Sequence, residues 1–122
     1  MKYIIMLVVA VVISITARAE IVTGRVIELA TSGLKPPSPT YGGCYAKIST
    51  PLSATAISAG CSYQYYASFD CNGETGGTKS EGAQKFSMAQ LAYITGETVL
   101  LDVNTAKILN GICLAERVIM IK

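Results

Sequence analysis

The four cysteines of this sequence are the residues whose type and spacing most directly indicate a chemistry, either metal binding or disulfide formation. No two of them form a CxxC pair, and the chain has no histidine. Protein zinc sites are commonly built from such pairs together with histidine, so we expect no metal site and no cofactor. In a small chain exported to an oxidising compartment, which the N-terminal sequence discussed below indicates, four cysteines predict two disulfides. The candidate disulfide residues are Cys44, Cys61, Cys71 and Cys113.

A glycine-rich stretch, "GETGGTKS" from Gly73 to Ser80, nearly matches the phosphate-binding loop of nucleotide-binding proteins. Thr78 stands where that motif requires the glycine before Lys79, and the pattern lacks the parallel strand–helix–strand context. We therefore interpret the stretch as a flexible connection that ends in a helix cap at Thr78.

The sequence contains few residues of the types that usually perform catalysis. Without histidine, a serine or cysteine nucleophile lacks its usual general base. The carboxylates closest in sequence are Asp70, Glu74 and Glu81, and loop solvation and helix capping account for them. We predict that the protein is not an enzyme.

The N-terminus has the organisation of an export signal. A short basic start precedes an apolar run from Ile4 to Ile15, and Ala17-Arg18-Ala19 fits a signal-peptidase site. We expect residues 1–19 to be removed before Glu20, which leaves one domain, residues 20–122, in a secreted or periplasmic location. No membrane span is expected after removal, because the apolar run is too short to cross a bilayer.

Removal of the signal also changes the charge balance. It takes away Lys2 and Arg18, two of the ten basic residues, and leaves eight against eight acidic ones. A neutral chain without clustered Lys and Arg predicts no nucleic-acid partner.

The stretch between the first two cysteines has the alternation of a half-buried strand. A tight hairpin at Leu52-Ser53 would place Ile48 opposite Ile57, Ala46 opposite Ala59 and Cys44 opposite Cys61, all on one face. This register predicts a Cys44–Cys61 disulfide and leaves Cys71 to pair with Cys113.

The remaining elements follow from periodicity and capping. We predict strand one at Ile21–Leu29, a third strand from Ile57 to Phe69, strand four at Val99–Val103 and strand five at Ile112–Ile121, with a turn at residues 104–111. A helix is expected from a cap at Thr78 and Glu81 to Gly96. Its core-facing arc would hold Ala83, Met88, Leu91 and Ile94.

Three strands, one helix and two strands define the predicted fold class. The protein should be mainly β with one helix (α+β), and the order is that of the OB-fold, a five-stranded Greek-key barrel with its helix between strands three and four. A small α+β sheet with one packed helix and an irregular sandwich are the alternatives.

Tyrosine is abundant, and the alternation of side chains along a strand places the tyrosines of the third strand on two faces. Tyr63 and Tyr65 lie on the face that is expected to point into the core. Tyr45 and Tyr66 should point outward, on a face that ligand-binding OB-folds often use, and tyrosine rings can stack on sugars. The predicted ligand-binding residues are Tyr45, Lys47, Gln64 and Tyr66.

The chain resembles the B subunits of pentameric A–B toxins of the subtilase-cytotoxin and pertussis-like group. The shared features are the export signal, the cysteine-bracketed hairpin, Cys61-Ser62 with Ser68-Phe69, and "AYITGETV" at Ala92–Val99. It is also similar to small secreted bacterial proteins with the organisation "SFDC…AQ…TG…V…NGxCxAxR". The toxin resemblance implies an OB-fold, ring assembly and binding of cell-surface glycans. The sugar-contacting residues of that family are not matched to positions of this sequence.

These observations together predict a secreted or periplasmic binding module that recognises a glycan or a cell surface and forms a homo-oligomer. The alternative is a monomeric periplasmic protein that binds or inhibits a protein partner.

Overall fold

A computed structural model of the chain describes residues 19–122, so residues 1–18 of the expected signal peptide lie outside the described part. The described chain folds into five strands and two helices, with the strands in a closed barrel of order β1-β2-β3-β5-β4. The elements are β1 (Ala19–Thr31), β2 (Cys44–Ile48), α1 (Ala54–Ala59), β3 (Tyr66–Ser68), α2 (Lys79–Thr95), β4 (Thr98–Leu109) and β5 (Ile112–Ile121). The prediction of a mainly β protein with five strands is confirmed, whereas α1 was not predicted.

The long strand β1 joins two parts of the barrel. Its first half pairs antiparallel with β4, and its second half pairs antiparallel with β2 after a register shift between Val26 and Glu28. Strand β3 pairs antiparallel with β2 and parallel with β5, in the latter case at the single position Ser68–Leu114. Strand β5 pairs with β4 along its length. Beyond Leu114, the opposite edge of β5 has no strand partner among residues 19–122.

The hairpin predicted at Leu52-Ser53 is wrong. The chain after β2 forms the short helix α1, whose N-cap Ser53 accepts a hydrogen bond from the Ala56 backbone N–H at 3.2 Å. Three of the six residues in α1 are alanine, which has the highest helix propensity. Residues 57–65 of the predicted third strand therefore belong to a helix and a loop, and the third strand is only three residues long.

The predicted disulfide pairing is also wrong, because it rested on that hairpin. The disulfides are Cys44–Cys71 and Cys61–Cys113. Strand β2 pairs with β3 so that Tyr45 faces Ser68, which brings the chain after β3, and with it Cys71, beside Cys44. Cys61 precedes β3 and lies instead against the start of β5. Two disulfides are consistent with an oxidising compartment.

Helix α2 begins and ends as its sequence predicts, but a different face is buried. Thr78 caps the N-terminus by accepting a hydrogen bond from the Glu81 N–H at 3.1 Å, and Gly96 ends the helix in the left-handed conformation with φ 71°. The buried positions are the small residues Gly82, Ala89 and Ala92, while the arc predicted to face the core, Ala83, Met88, Leu91 and Ile94, is exposed. A Cβ at Gly82 would lie 2.4 Å from the Asp70 carbonyl oxygen, so close packing selects small residues on this face.

The barrel interior holds the core. Its fully buried side chains include Phe69 of the segment after β3 and Val99, Leu101 and Val103 of β4. Strand β4 continues to Leu109, beyond the predicted Val103, so the predicted turn shortens to Asn110-Gly111, where both residues have positive φ. Strand β5 has the predicted bounds. Among residues 19–122, no helix has the length and apolarity needed to cross a membrane.

Candidate functional site

Four tyrosine side chains lie together on the barrel surface in a closed ring of contacts. The ring centroids are 5.4 Å apart for Tyr41 and Tyr45, 6.0 Å for Tyr45 and Tyr66, 6.2 Å for Tyr66 and Tyr63, and 5.9 Å for Tyr63 and Tyr41. Neighbouring planes are inclined by 58° or 86°, which is the tilted or edge-to-face geometry that aromatic pairs prefer. We call these four residues the tyrosine box.

Strand register positions one side of the tyrosine box. Tyr45 on β2 and Tyr66 on β3 project outward, because the alternate residues of β2 are buried in the barrel. Lys47 lies directly opposite Tyr66 and, on its other side, opposite Glu28 of β1. The Lys47 ammonium is 5.9 Å from the Tyr66 ring centroid, and the Tyr66 hydroxyl donates a long hydrogen bond of 3.5 Å to the Glu28 carboxylate.

Tyr41 comes from the loop before β2, and its backbone is held at both ends. Its N–H donates to the side-chain oxygen of Asn110 at 3.3 Å, and its carbonyl accepts from the Ser68 hydroxyl at 2.7 Å. Its φ is 51°, a left-handed conformation that bulky residues rarely adopt. A residue in this conformation stores backbone strain, which persists only where the surrounding structure enforces it. Strained residues of this kind are concentrated at functional sites.

Tyr63 packs on the turn between β4 and β5. Its N–H donates to the Gly111 carbonyl at 3.2 Å, and its own carbonyl accepts from the Tyr66 N–H at 3.0 Å. A Cβ at Gly111 would lie 3.0 Å from the Tyr63 ring, so glycine lets the ring approach the turn. The Asn110-Gly111 turn therefore supports both tyrosines that are not on strands.

The tyrosine box lines an open cavity of about 170 Å³, which is also lined by Glu28 and Ile112. This volume is below the range of sites for drug-sized ligands, so it suits one sugar or one head group. The pKa of Tyr41 lies above its usual value of 10.0, chiefly because of a hydrogen bond with the Tyr63 side chain. The Tyr41 hydroxyl is therefore neutral at physiological pH, and the cavity offers aromatic rings, hydroxyl groups and one carboxyl group.

The predicted ligand-binding residues separate into two groups. Tyr45 and Tyr66 belong to the tyrosine box and Lys47 lies beside it, whereas Gln64 lines a different, smaller recess with Leu52 and Val22. The assignment of Tyr63 and Tyr65 to the core is wrong, since they are 44% and 36% exposed.

Sequence reasoning missed Tyr41, Tyr63 and Glu28 as site residues. Tyr41 precedes two glycines, and Asn110-Gly111 is a strong turn signal. Neither pattern indicates that these two segments meet in the fold.

A second cavity, of about 300 Å³, lies between α2, the loop after β3 and β5. Most of its charged groups already have protein partners. The Lys85 ammonium donates to the Ala115 carbonyl at 2.8 Å, and Lys107 lies 3.3 Å from Glu116. Burial lowers the pKa of Lys85.

The buried Asp70 carboxylate on this cavity accepts hydrogen bonds from the N–H groups of Glu74 and Thr75. The carboxylates of Asp70 and Glu74 therefore order a loop, whereas Glu81 takes part in the helix cap through its backbone N–H. Because most of its polar groups are bonded within the protein, this cavity is a weaker candidate than the tyrosine box. Within residues 19–122, no cluster of three or more His, Cys, Asp or Glu side chains could hold a metal ion.

Comparisons with protein-family models, curated proteins and solved structures found no match.

Proposed function

We propose that the protein is a secreted or periplasmic, non-catalytic recognition domain that binds a cell-surface glycan at the tyrosine box. The main observation that supports this proposal is the closed ring of four tyrosines that lines a cavity of about 170 Å³. Tyrosine faces pack against the apolar faces of sugars, and tyrosine hydroxyls can hydrogen-bond to the sugar hydroxyls at their edges.

The proposal includes the OB-fold as the architecture. The closed five-stranded barrel and the long helix α2 between β3 and β4 in the chain support it. OB-folds bind oligosaccharides and oligonucleotides on the face of strands two and three. The tyrosine box contains Tyr45 of β2 and Tyr66 of β3, so its position agrees with that mode of binding.

Binding without chemistry is the proposed activity. The chain contains no histidine. At the box, Glu28 is the carboxylate that lines the cavity, and acid–base chemistry on a glycosidic bond usually requires two carboxyl groups. The chemistry of the lining supports recognition of a ligand.

Self-association into a homo-oligomer, as in the toxin B subunits, is part of the proposal. Large apolar side chains are exposed on α2, among them Ile94 at 79% and Leu91 at 51%. The edge of β5 beyond Leu114 lacks a strand partner in the described chain, but Lys85 of α2 donates to the Ala115 carbonyl of β5, so the exposed face of α2 is the feature that supports assembly. A second copy of the chain could cover this face.

A glycan array probed with the oxidised protein tests the proposed function. We expect selective binding to a subset of glycans, with the signal reduced at least tenfold by Tyr63→Ala. Tyr65→Ala is the matched control, because Tyr65 is similarly exposed but lies outside the box. An array without signal, or equal loss from both variants, would contradict the proposal. In that case the alternative function, binding of a protein partner, would be favoured, because exposed tyrosines also suit protein interfaces.

A further inference from the structure

The tyrosine box differs from a flat sugar-stacking platform. A platform offers one open ring face, whereas these rings are inclined to one another by 58° or 86° and all four line the same cavity. Walls of this kind contact a compact, rounded group on several sides while leaving one side open. Aromatic cages of this type are how proteins recognise quaternary ammonium groups, through attraction between the cation and the negative ring faces.

Charge at the cavity agrees with a cationic ligand. Glu28 lines the cavity, and its described contact is the long hydrogen bond from the Tyr66 hydroxyl. No Lys or Arg of residues 19–122 lies within 4.0 Å of its carboxylate, since the ion pairs of this part of the chain are Lys107–Glu116 and Arg117–Asp102. A carboxylate beside four aromatic rings is complementary to an alkylammonium group.

Lys47 provides a second charge at the rim. It is the cross-strand neighbour of both Glu28 and Tyr66, so one row of three residues carries a carboxylate, an ammonium and an aromatic ring. It does not line the cavity. A ligand with a cation inside the box and an anion just outside it would meet opposite charges at both ends.

We propose that the tyrosine box binds a quaternary ammonium group and that its ligand carries phosphocholine, with the phosphate directed toward Lys47. Trimethylammonium has no N–H groups and is weakly hydrated, so it enters an aromatic cavity at lower desolvation cost than a primary ammonium group. The inference rests on the proposed function only in placing the surface ligand at the box. It specifies the terminal group that the box recognises.

Isothermal titration of the oxidised protein with phosphocholine, choline and phosphoethanolamine tests this inference. We expect saturable binding of phosphocholine and choline, and at least tenfold weaker binding of phosphoethanolamine, which differs from phosphocholine by its three methyl groups. Tyr63→Leu should weaken phosphocholine at least tenfold, and Glu28→Gln should weaken it several-fold. Lys47→Gln should weaken phosphocholine but not choline. Tyr65→Leu is the control and should leave all affinities unchanged.

Absence of phosphocholine binding, equal affinity for phosphoethanolamine, or insensitivity to Tyr63→Leu would overturn the inference. Equal effects of Lys47→Gln on choline and phosphocholine would overturn the placement of the phosphate. Circular dichroism of each variant separates loss of binding from loss of folding. Phosphatidylcholine vesicles and phosphocholine-bearing glycans, compared at equal phosphocholine concentration, identify whether the group is recognised on a lipid or on a glycan.

The two proposals fail separately. Glycans without choline that bind through the tyrosine box would sustain the proposed function and contradict the inference. Binding of phosphocholine through the box, without any glycan signal, would sustain the inference and contradict the proposed function.

Discussion

The side-chain oxygen of Asn110 accepts hydrogen bonds from the backbone N–H groups of Thr40 and Tyr41, at 3.2 and 3.3 Å. The two segments are about seventy residues apart in sequence. The residue that makes the β4–β5 turn therefore also fixes the loop that supplies one wall of the tyrosine box.

Replacing Asn110 should separate this positioning role from the turn itself. Asn110→Gly keeps a residue that tolerates the observed φ of 54° but removes the acceptor. We expect a loss of about 1 kcal/mol in the free energy of unfolding and weaker ligand binding. Asn110→Asp retains an acceptor and a tolerance for positive φ, so it should restore both. Denaturant unfolding and ligand titration measure the two effects, and normal binding by Asn110→Gly would contradict the positioning role.

The disulfides should contribute according to the lengths of the loops that they close. Cys61–Cys113 spans 52 positions and Cys44–Cys71 spans 27. Paired Cys→Ser replacement should cost about 4 kcal/mol for the first and about 3.5 kcal/mol for the second. Equilibrium unfolding of the two double variants measures these losses. Peptide mapping of the unreduced protein is the control, and a Cys44–Cys61 link would contradict the fold.

Acid should destabilise the protein partly through Glu116. Its pKa is lowered from 4.5, first because Asn104 donates a hydrogen bond at 2.8 Å to its carboxylate and also because Lys107 lies near. A lowered folded-state pKa gives stability that is present above pH 4.5 and is lost as the pH falls through the folded-state value. Urea unfolding between pH 3 and 7 should therefore show a weaker acid dependence for Glu116→Gln. Identical pH profiles would contradict this assignment.

Self-association should depend on the exposed apolar face of α2. Ile94→Asp places a charge on a side chain that is 79% exposed, so the stability of the single chain should change by less than about 0.5 kcal/mol. If a second copy covers this face, the variant should shift the protein toward monomer in sedimentation or light scattering. As the control, Ser58→Asp adds the same charge at an exposed position of the other helix, α1. Equal behaviour of both variants and the wild type would contradict assembly through this face.

Local signals in the sequence predict those parts of the fold that are determined locally. The helix cap at Thr78, the left-handed end at Gly96 and the bounds of β5 follow from short patterns. The alternation of Cys44, Ala46 and Ile48 correctly predicts a half-buried strand.

Errors arose where a local pattern was used to infer a long-range contact. The predicted third strand began at Ile57, but the segment from Ala54 to Ala59 forms a helix, which its alanine content and the Ser53 N-cap favour. The disulfide pairing failed with it. The helix face was wrong for a related reason, because close approach to Asp70 favours the small residue Gly82 over large apolar side chains.

The tyrosine box was half predicted. Parity on β2 and β3 identifies Tyr45 and Tyr66, since strands alternate. Tyr41 and Tyr63 come from loops, and their positions depend on contacts with Asn110 and Gly111. Such contacts between distant loops leave no periodic pattern in the sequence.

Nuclear magnetic resonance of the protein with carbon-13-labelled tyrosine rings tests the central claim most directly. Residues 19–122 contain four tyrosines in the box and two outside it, Tyr65 and Tyr93, so the spectrum includes its own control. On titration with the glycan that binds most strongly on the array, we predict shifts of the Tyr41, Tyr45, Tyr63 and Tyr66 resonances and none of the other two. Binding that leaves these four unchanged, or that shifts Tyr65 or Tyr93 instead, would contradict recognition at the tyrosine box.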